Sequence, residues 1–524
     1  MNHLPLIKCL ASYCAVSTMA FSAANASPQF SVVPVPSHQY SGEWEFFVGG
    51  GLAVFDCNSD NNPEVFAAGG AGPSTLLINT STTEAVRFAT NPSAASGLED
   101  LTNVTGAYPL DIDSDGTLDL VILRVGHNTI LQGQGDCQFA PFPEKQIPSF
   151  GDHWTTAFSA TWEQGQTLPT MAFGNYIDRF DPNGPFETCD ASFLHRPNFD
   201  GQDGQQGYSA ALPLTPGYCT LSMLFSDWGR KGRADLRVSN DRHYYIRGGS
   251  EQLWSMAATP RLYGQADGWR DYSLWGMGIA SRDLTGDGLP EIYLTSMGDQ
   301  KLHSLTSTTE PSYENAPYGK GITAHRPYTG GDGRPSTGWH VAFGDVQNDG
   351  YDDIFVTKGN VEQMPVAAMQ DPNNLLLGQQ DGNFVEGGAE AGVASMDRGR
   401  GGAMVDLNSD GLLDLLVNNR RADLQIWQNT TADAGDWLSL ALRQEGSNPF
   451  AIGAIVELRI NDRLWTQERT IGGGHAGGSH VPLHFGLGDL GDQSVEITVI
   501  WPDQSQTIVT HDQLNTSIVV QKYN

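Results

Sequence analysis

An acidic motif that recurs five times constrains the fold of this chain more than any other feature. Its most complete copy runs Asp111-Ile-Asp-Ser-Asp-Gly-Thr-Leu-Asp119. In every copy positions one and five are Asp, position nine is Asp or Glu, and position three carries a side-chain oxygen. Strand-like segments flank the copies; for example, Leu120-Val-Ile-Leu123 follows this copy. The motif therefore predicts a loop that joins two β-strands and is repeated along the chain.

Alternating oxygen donors in a tight loop are the ligands that a hard cation requires. Calcium takes six to eight oxygen ligands at about 2.3–2.6 Å, and a backbone carbonyl at position seven would add one more. Glycine occupies position six of four copies and permits a sharp turn. A plain Asp-Gly β-turn is the alternative for any single copy. Acids at positions one, five and nine of all five copies favour calcium.

The motif predicts up to five Ca²⁺ sites, and each loop is named here by its first residue. The predicted ligands are Asp56, Asn58, Asp60 and Glu64; Asp111, Asp113, Asp115 and Asp119; Asp283, Thr285, Asp287 and Glu291; Asp345, Gln347, Asp349 and Asp353; and Asp406, Asn408, Asp410 and Asp414. The loops differ from an EF-hand, because position twelve of the Asp111 loop is Ile122 where an EF-hand has a bidentate Glu.

The spacing of the loops predicts the architecture. Successive loops begin 55, 172, 62 and 61 residues apart, and the long gap is close to three periods. Two degenerate loops are therefore expected within it. One is the Asp227 loop, with Lys231 at position five and Asp235 at position nine; the other lies in Thr161–Thr170, where Glu163 alone keeps an acid at a ligand position. Seven units of about 58 residues, each with room for four short strands, predict a seven-bladed β-propeller.

The two degenerate loops are not expected to bind metal. In the Asp227 loop, Lys231 replaces the Asp of the intact copies. Its ammonium group either lies between Asp227 and Asp235 as an internal salt bridge or is solvated. The sequence leaves both alternatives open.

Three segments are expected along the chain: a signal peptide over residues 1–26, the propeller over 27–432 and a C-terminal domain over 433–524. The last segment contains short alternating runs such as Trp437-Leu-Ser-Leu-Ala-Leu442 and Val495–Ile500. These runs predict a small β-sandwich-like domain. The fold class is therefore predicted to be all-β.

The N-terminal residues are typical of a secretory signal. Lys8 is followed by an apolar stretch through Phe21 and by the A-x-A cleavage pattern that ends at Ala26. A lipoprotein signal with Cys9 or Cys14 as the lipidated residue is the alternative; it is disfavoured because the residues directly before those cysteines are not small. The protein is therefore expected to be secreted, to the periplasm or the extracellular space, after cleavage near Ala26.

Four cysteines remain after that cleavage: Cys57, Cys137, Cys189 and Cys219. An even number in an exported chain is compatible with two disulfides, and three pairings are possible. The pairing of Cys189 with Cys219 is favoured because it is the more local one.

The repeats resemble FG-GAP/VCBS repeats, the class to which integrin α-subunit propellers belong. Toward the C-terminus, Gly453–Leu458, Ser479–Gly488 (SHVPLHFGLG) and Val495–Pro502 (VEITVIWP) are similar to the ASPIC/UnbV domain. That domain follows FG-GAP repeats in the cartilage acidic protein family, and this chain resembles a bacterial-type member. The resemblance implies secretion, calcium binding, and adhesion or partner recognition, and it implies no catalytic residue.

Charge limits the partners that this chain can bind. It contains 60 acidic and 29 basic residues, for a formal net charge of −31. Nucleic acid is excluded, because there is no cationic surplus to displace counterions from phosphates. No segment after the signal has the roughly 20 apolar residues that a membrane span needs. The expected partner is an extracellular protein or a glycan whose identity the sequence does not reveal.

Catalytic motifs are absent from the sequence: it contains no G-x-S-x-G, P-loop or H-E-x-x-H pattern. His475, His480 and His484 lie within ten residues and could bind zinc or copper, although packed histidines are the alternative. Trp339-His340 and Asp397–Arg400 precede two of the loops and are expected to line the channel of the propeller, where they contact either a ligand or neighbouring blades.

Two functional hypotheses follow from these observations. The first is a secreted, calcium-binding recognition or adhesion module. The alternative is a calcium-dependent carbohydrate-active enzyme, similar to a polysaccharide lyase, with its site in the funnel of the propeller.

Overall fold

The computed structural model describes residues 26–90, 96–98, 101–198, 207–241, 248–491 and 493–523. The predicted signal segment lies outside the described residues except for Ala26. Regular secondary structure within them is almost entirely β, and the exceptions are short 3₁₀ helices at Trp44–Phe46, Glu144–Gln146, Gln265–Asp267 and Tyr318–Lys320. The predicted all-β class is confirmed.

Most of the chain folds into successive four-stranded antiparallel units. An isolated N-terminal strand, β1, spans Phe30–Val32. The first unit contains β2 (Leu52–Phe55), β3 (Glu64–Ala67), β4 (Thr75–Asn79) and β5 (Phe88–Thr90). The second contains β6 (Val104–Leu110), β7 (Asp119–His127), β8 (Thr129–Gly133) and β9 (Phe139–Pro141). The third contains β10 (Asp152–Thr161), β11 (Thr170–Asn175), β12 (Ser192–His195) and β13 (Leu212–Leu214). The start of β10 also pairs with the end of β7, which joins the second and third units in one eight-stranded sheet.

The same plan continues through the middle of the chain. The fourth unit contains β14 (Thr220–Ser226), β15 (Asp235–Asn240), β16 (Gln252–Ser255) and β17 (Arg261–Leu262). The fifth contains β18 (Gly276–Arg282), β19 (Glu291–Ser296), β20 (Lys301–Leu305) and β21 (Tyr313–Asn315). The sixth contains β22 (Gly338–Gly344), β23 (Asp353–Lys358), β24 (Asn374–Gly378) and β25 (Phe384–Glu386).

The last unit takes three strands from late in the chain and one from its beginning. Its strands are β26 (Arg398–Val405), β27 (Asp414–Arg420) and β28 (Gln425–Asn429), and β1 pairs with β28 so that Phe30 lies opposite Asn429. First strands of adjacent units contact one another from β2 through β26, and β26 contacts β2 again. The first strands therefore surround a common axis.

The acidic loops occupy one position in every unit. The residue before each loop pairs with the residue at position nine, as Leu110 does with Asp119 and Gly344 with Asp353. Of the two degenerate loops, the Asp227 loop keeps this register, because Ser226 pairs with Asp235, whereas in the other loop Ala160 pairs with Met171 and Thr161 with Thr170. The predicted strand–loop–strand arrangement is confirmed. All the loops follow a first strand, so they lie on one side of the ring, which is called the loop face below.

Hydrophobic core lies between neighbouring units. Ala157 and Ala172 of the third unit pack with Met223, Phe225 and Leu236 of the fourth, and all five side chains are buried. Alternate residues of the inner strands supply these contacts on both faces of each sheet. The units therefore stabilise one another side by side.

The C-terminal region forms two facing sheets. Its strands are β29 (Asp436–Arg443), β30 (Ile455–Ile460), β31 (Arg463–Glu468), β32 (Gly478–His480), β33 (Leu483–Gly488), β34 (Val495–Ile500), β35 (Gln506–His511) and β36 (Thr516–Gln521). One sheet has the order β33-β29-β36 and the other β31-β30-β34-β35. Leu440, Val456, Ile497 and Trp501 are fully buried in the core that these strands enclose. These strands other than β32 are called the C-terminal sandwich, while β32 pairs in parallel with β2.

Two disulfides cross-link the described residues. Cys57 is bonded to Cys137, and Cys189 to Cys219, so the favoured pairing is confirmed. Disulfides persist in oxidising compartments. Separately, none of the helices among the described residues is long and apolar enough to cross a bilayer.

The Cys57–Cys137 disulfide spans 80 residues and should stabilise the fold mainly by restricting the unfolded chain. Replacing both cysteines with Ala is expected to lower the free energy of unfolding by about 2–4 kcal/mol. The measurement is denaturant unfolding in non-reducing buffer, and wild-type protein unfolded with a reductant is the control. An unchanged midpoint in the variant would contradict the prediction.

Candidate metal centres

The five intact loops share one hydrogen-bond scaffold. In the Asp111 loop, the amide of Ile112 donates to Asp119 at 2.8 Å, that of Gly116 to Asp111 at 2.9 Å and that of Thr117 to Asp115 at 2.7 Å. Amides at positions two, six and seven make the same bonds to acids nine, one and five in the other four loops. The backbone thus orients three carboxylates in every loop.

Two residues of each loop adopt left-handed backbone. Position six has positive φ in all five loops, for example +89° at Gly116, as its glycine predicted. Position four is also left-handed, with φ of +63° at Ser114 and +54° at Asn348. Sequence reasoning missed position four. Its signal is the run of Ser, Gly and Asn there, because small or polar residues tolerate this conformation best.

Burial makes the ionised form of the loop acids costly. It raises the pKa of Asp119 to about 8 and those of Glu64 and Glu291 to about 7. Burial likewise raises the pKa of Asp111 and Asp406 to about 6, and nearby acids of the same loops contribute. A cation at the centre of each loop would remove this cost.

The protein supplies no such cation to the intact loops. Sixteen carboxylates occupy ligand positions. None of them takes part in the ion pairs formed among the described parts of the chain. In the Asp111 loop, oxygens of Asp111, Asp113 and Asp115 all lie within 4.8 Å of one another. The loops therefore gather like charges that no ion pair among the described residues neutralises.

Position three adds oxygen atoms that no donor satisfies. Asp113 Oδ1, Gln347 Oε1 and Asn408 Oδ1 are buried and accept no hydrogen bond from any described residue. The amide nitrogens of Gln347 and Asn408 are engaged, since they donate to Asp349 at 2.7 Å and Asp410 at 2.9 Å. A hard cation takes carboxylate and amide oxygens as ligands. The donor set thus fits calcium.

The degenerate loops contain a guanidinium group in place of the missing ligands. Arg196 Nε donates to Glu163 Oε1 at 2.7 Å, and the same oxygen accepts a bond from Thr170. In the Asp227 loop, Arg233 pairs with Asp235 at 3.3 Å. Each degenerate loop thus pairs one acid with an arginine, Glu163 in one loop and Asp235 in the other, while Asp227 accepts the backbone amides of Lys231 and Gly232 and forms no ion pair among the described residues.

Lys231 does not form the internal salt bridge that was one of its two alternatives. Its Nζ donates to the carbonyl of Thr309 at 3.1 Å and lies 4.0 Å from the ring centre of Trp228. The side chain is exposed, which fits the solvated alternative.

The three C-terminal histidines do not converge on one another as metal ligands. Both ring nitrogens of His475 contact backbone, with Nδ1 2.9 Å from the Met277 carbonyl and Nε2 3.1 Å from the Gly49 amide. His484 Nε2 lies 3.0 Å from the carbonyl of Gly411. His480 packs edge-on against Phe450. The packed-histidine alternative describes these residues better than a zinc or copper site.

Residues 471–478, the channel segment, enter the space inside the ring of first strands, and a cavity of about 200 Å³ remains between this segment and β14, β18, β22 and β26. The amides of Gly473 and Gly474 donate to carbonyls of β14 and β18 at 2.6 and 2.7 Å. His475 reaches Gly49 on the far side of the ring. Approach is so close that a Cβ on Gly51 would lie 1.8 Å from the Ala476 carbonyl oxygen. Its glycines serve this close backbone contact, which sequence reasoning did not foresee.

The polar residues expected to line the channel are bound internally. His340 Nδ1 accepts the amide of His475 at 3.1 Å. The guanidinium of Arg400 lies 4.0 Å from the ring centre of Trp339 and donates to the Phe47 carbonyl at 2.9 Å. These groups bridge neighbouring units, which agrees with the alternative that they contact neighbouring blades and not a ligand.

Comparison with known proteins identifies the C-terminal domain. Residues 444–524 match the ASPIC and UnbV family, so the chain carries an ASPIC/UnbV domain at its C-terminus. Cartilage acidic protein 1 of Mus musculus is 31% identical over 149 residues, which are 28% of this chain and 21% of the mouse protein. The match thus spans about a fifth of the length of that relative.

Three solved structures show distant likeness. The BBS1N chain of a complex with ARL6DN has a TM-score of 0.42 at 9% identity, covering 76% of this chain and 96% of that one. The extracellular domain of a putative hybrid two-component system from B. thetaiotaomicron has a TM-score of 0.42 at 9% identity, covering 94% and 60%. An Agrocybe aegerita lectin that recognises non-reducing terminal N-acetylglucosamine has a TM-score of 0.39 at 14% identity, covering 73% and 94%.

If Arg196 replaces a cation, its loss should cost more than the loss of an exposed arginine. Arg196→Met leaves Glu163 and three carbonyls without their donor, and is expected to lower the free energy of unfolding by about 2–3 kcal/mol. Arg261→Met, which breaks an exposed pair with Asp267, is the control and should cost much less. Equal losses in denaturant unfolding would contradict the prediction.

Proposed function

We propose that this protein is a secreted, calcium-binding, seven-bladed β-propeller that acts as an extracellular recognition module for a protein or glycan. The four-stranded units are its blades. Support comes from the contacts between first strands, which run from β2 to β26 and back to β2, and from β1, which completes the last sheet. Radial closure of this kind protects sheet edges.

The observation that carries calcium binding is the set of sixteen ligand-position carboxylates that form no ion pair among the described residues. The side chains that would hold the ions are those at positions one, three, five and nine of the Asp56, Asp111, Asp283, Asp345 and Asp406 loops. Calcium would supply positive charge to buried carboxylates and hold each hairpin closed. In the degenerate loops, which lack the full set of oxygen ligands, an arginine pairs with one of the remaining acids.

Secretion is supported by two independent features. The N-terminal residues have the pattern of a signal peptide. Both disulfides indicate an oxidising compartment. Calcium modules outside the cell bind at about 10⁻⁴–10⁻³ M, which matches the concentrations available there.

The side of the ring away from the acidic loops offers the recognition surface. First strands run toward the loop face, so connections from second to third strands, and between units, return to the opposite side. Large apolar side chains are exposed on those connections: Phe180, Phe186, Val366, Met369 and Trp44. Exposed apolar side chains grouped on one face indicate a binding surface for a protein or a glycan.

A recognition role is preferred to the enzyme alternative. The channel segment enters the funnel in which a lyase-like site would lie and leaves a cavity of about 200 Å³ there. His340 and Arg400, which would be its polar groups, are bound to the channel segment and to neighbouring units. The outer connections carry the exposed groups instead.

Calcium removal should destabilise the protein, because ions that bind only the folded state stabilise it by mass action. A single site at a hundred times its dissociation constant contributes about 2.7 kcal/mol. The mature chain is expected to retain up to five calcium ions by mass spectrometry of metals after dialysis in millimolar calcium. Its melting temperature should fall in chelator and recover when calcium is restored. Unchanged melting after exhaustive chelation would refute occupied structural sites.

Recognition should depend on the exposed face opposite the loops. Phe180→Ser with Val366→Ser is expected to abolish capture of the native partner from extracellular fluid, or binding to a glycan array, with little change in melting temperature. The matched control is Ile508→Ser with Val519→Ser, which changes two side chains of similar exposure on the C-terminal sandwich. Loss of binding in the control alone would place the surface elsewhere.

A further inference from the structure

The Asp345 loop lies at the joint between the ring of units and the C-terminal sandwich. The amides of Gly435 and Gly488 donate to the carbonyls of Gln347 and Asn348 at 3.0 and 2.8 Å. Trp465 Nε1 donates to the Gly350 carbonyl at 3.2 Å. The C-terminal region therefore holds this loop by hydrogen bonds to its backbone carbonyls at positions three, four and six.

Burial separates this loop from the other four. Asp345, Gln347, Asp349 and Asp353 are 3%, 6%, 7% and 0% exposed, so every ligand position is covered. Elsewhere the acid at position five is exposed, as in the Asp56, Asp111 and Asp283 loops, or half-buried, as in the Asp406 loop. Only here among the described loops does the protein cover the whole donor set.

One further feature points to a bound group inside this enclosure. Gln347 Oε1 is buried without a hydrogen-bond donor among the described residues. A cavity of about 10 Å³ lies beside the loop, where Asp345 and Gly350 face Thr466, Phe485 and Gly486 of the sandwich. Arg282 and Asp352 also line this cavity and the other three ligand residues do not, so it marks the contact between loop and sandwich and not the ligand centre.

The nearest protein cations form no ion pair with the acids at ligand positions, although the positive charge of Arg463 opposes the rise in the pKa of Asp349 that burial causes. Arg463 donates to the Gly350 carbonyl and lies 4.3 Å from the Tyr351 ring centre. Arg282 pairs with Asp352 at 3.7 Å, and Asp352 is at position eight, which is not a ligand position. The three acids at ligand positions thus share one enclosure without an ion pair of their own.

We infer that the Asp345 loop is an occluded calcium site, closed by the C-terminal sandwich, whose ion latches the two parts of the molecule together. The inference rests on the calcium binding proposed above and adds a specific site to it. The ion neutralises acids that the sandwich buries, and the sandwich in turn blocks the exit of the ion. Docking of the sandwich and occupancy of this one loop are therefore coupled.

Occlusion has a kinetic signature. An ion in an exposed loop leaves directly into solvent, whereas an ion in the Asp345 loop leaves only when the sandwich lifts. Release then requires a local opening step, which slows it by the equilibrium constant for that opening. One ion per chain is expected to leave at least about tenfold more slowly than the others.

The test is calcium release from the full mature chain. Protein loaded in millimolar calcium is mixed rapidly with a fluorescent chelator, and total bound calcium is measured separately by mass spectrometry of metals. Wild-type protein should show a fast phase and a slow phase worth one ion per chain. Asp353→Asn should lose one ion and the slow phase. The matched control Asp119→Asn removes a ligand from the exposed Asp111 loop and should lose one fast ion only.

A second variant leaves the ligand residues unsubstituted and moves the sandwich. A Cβ on Gly486 would lie 2.1 Å from Asp345 Oδ2 and 2.8 Å from Asn348 Cα, so Gly486→Ala should push the sandwich away from the loop. Because the Cβ also meets the Asp345 carboxylate, total bound calcium is measured in this variant and should equal that of the wild type. Its slow phase is expected to accelerate at least about tenfold, approaching the fast one. If Asp353→Asn does not fold, Gly486→Ala and the wild-type kinetics are sufficient to test the occluded site.

The outcomes distinguish this inference from the proposal on which it rests. Absence of bound calcium in the wild type refutes calcium binding itself. Bound calcium that leaves in one fast phase refutes only the occluded site. A slow phase that Asp119→Asn removes, or that Gly486→Ala leaves unchanged, assigns the slow ion to another loop and also overturns the inference.

Discussion

Burial of like-charged carboxylates at one end of each inner hairpin is the constraint on which this structure depends. Position nine begins the second strand of every intact hairpin, and there the acid accepts the position-two amide. Such an acid cannot move to solvent without unpairing the strand. Its charge has to be neutralised in place, because the free-energy cost of an unpaired carboxylate rises with burial. The formal charge of −31 is thus concentrated partly where the fold has least freedom to relieve it.

The degenerate loops show that the constraint is electrostatic. Glu163 and Asp235 keep acids at ligand positions, and each is met by an arginine of the same neighbourhood. Where the acids are few, a guanidinium suffices, because one positive charge and its donors satisfy one carboxylate. Three or four acids in one loop exceed what a single guanidinium can serve. A divalent cation with six to eight ligands meets that demand.

Much of this arrangement was predictable from local sequence. The all-β class, the strand–loop–strand hairpins and the favoured disulfide follow from period, turn residues and cysteine count, which are local signals. The course of the channel segment was not predictable, because its glycines pack against backbone of first strands hundreds of residues away. Arg196 was equally hidden, since it lies 33 residues beyond Glu163 and meets it only through strand pairing. Left-handed backbone at position four was visible only as a preference for Ser, Gly and Asn.

The C-terminal sandwich links these features to function. Its strands cover loops on one face, and the channel segment that leaves it enters the ring from that same side and ends against Gly49. One domain therefore occupies both the loop face and the axis. A partner that approached from there would have to displace backbone hydrogen bonds at Asn348, Ile279 and Met223 before making any of its own. Exposed Phe180 and Val366 lie on connections at the opposite face, away from these hydrogen bonds, which is why the proposed recognition is assigned to that face.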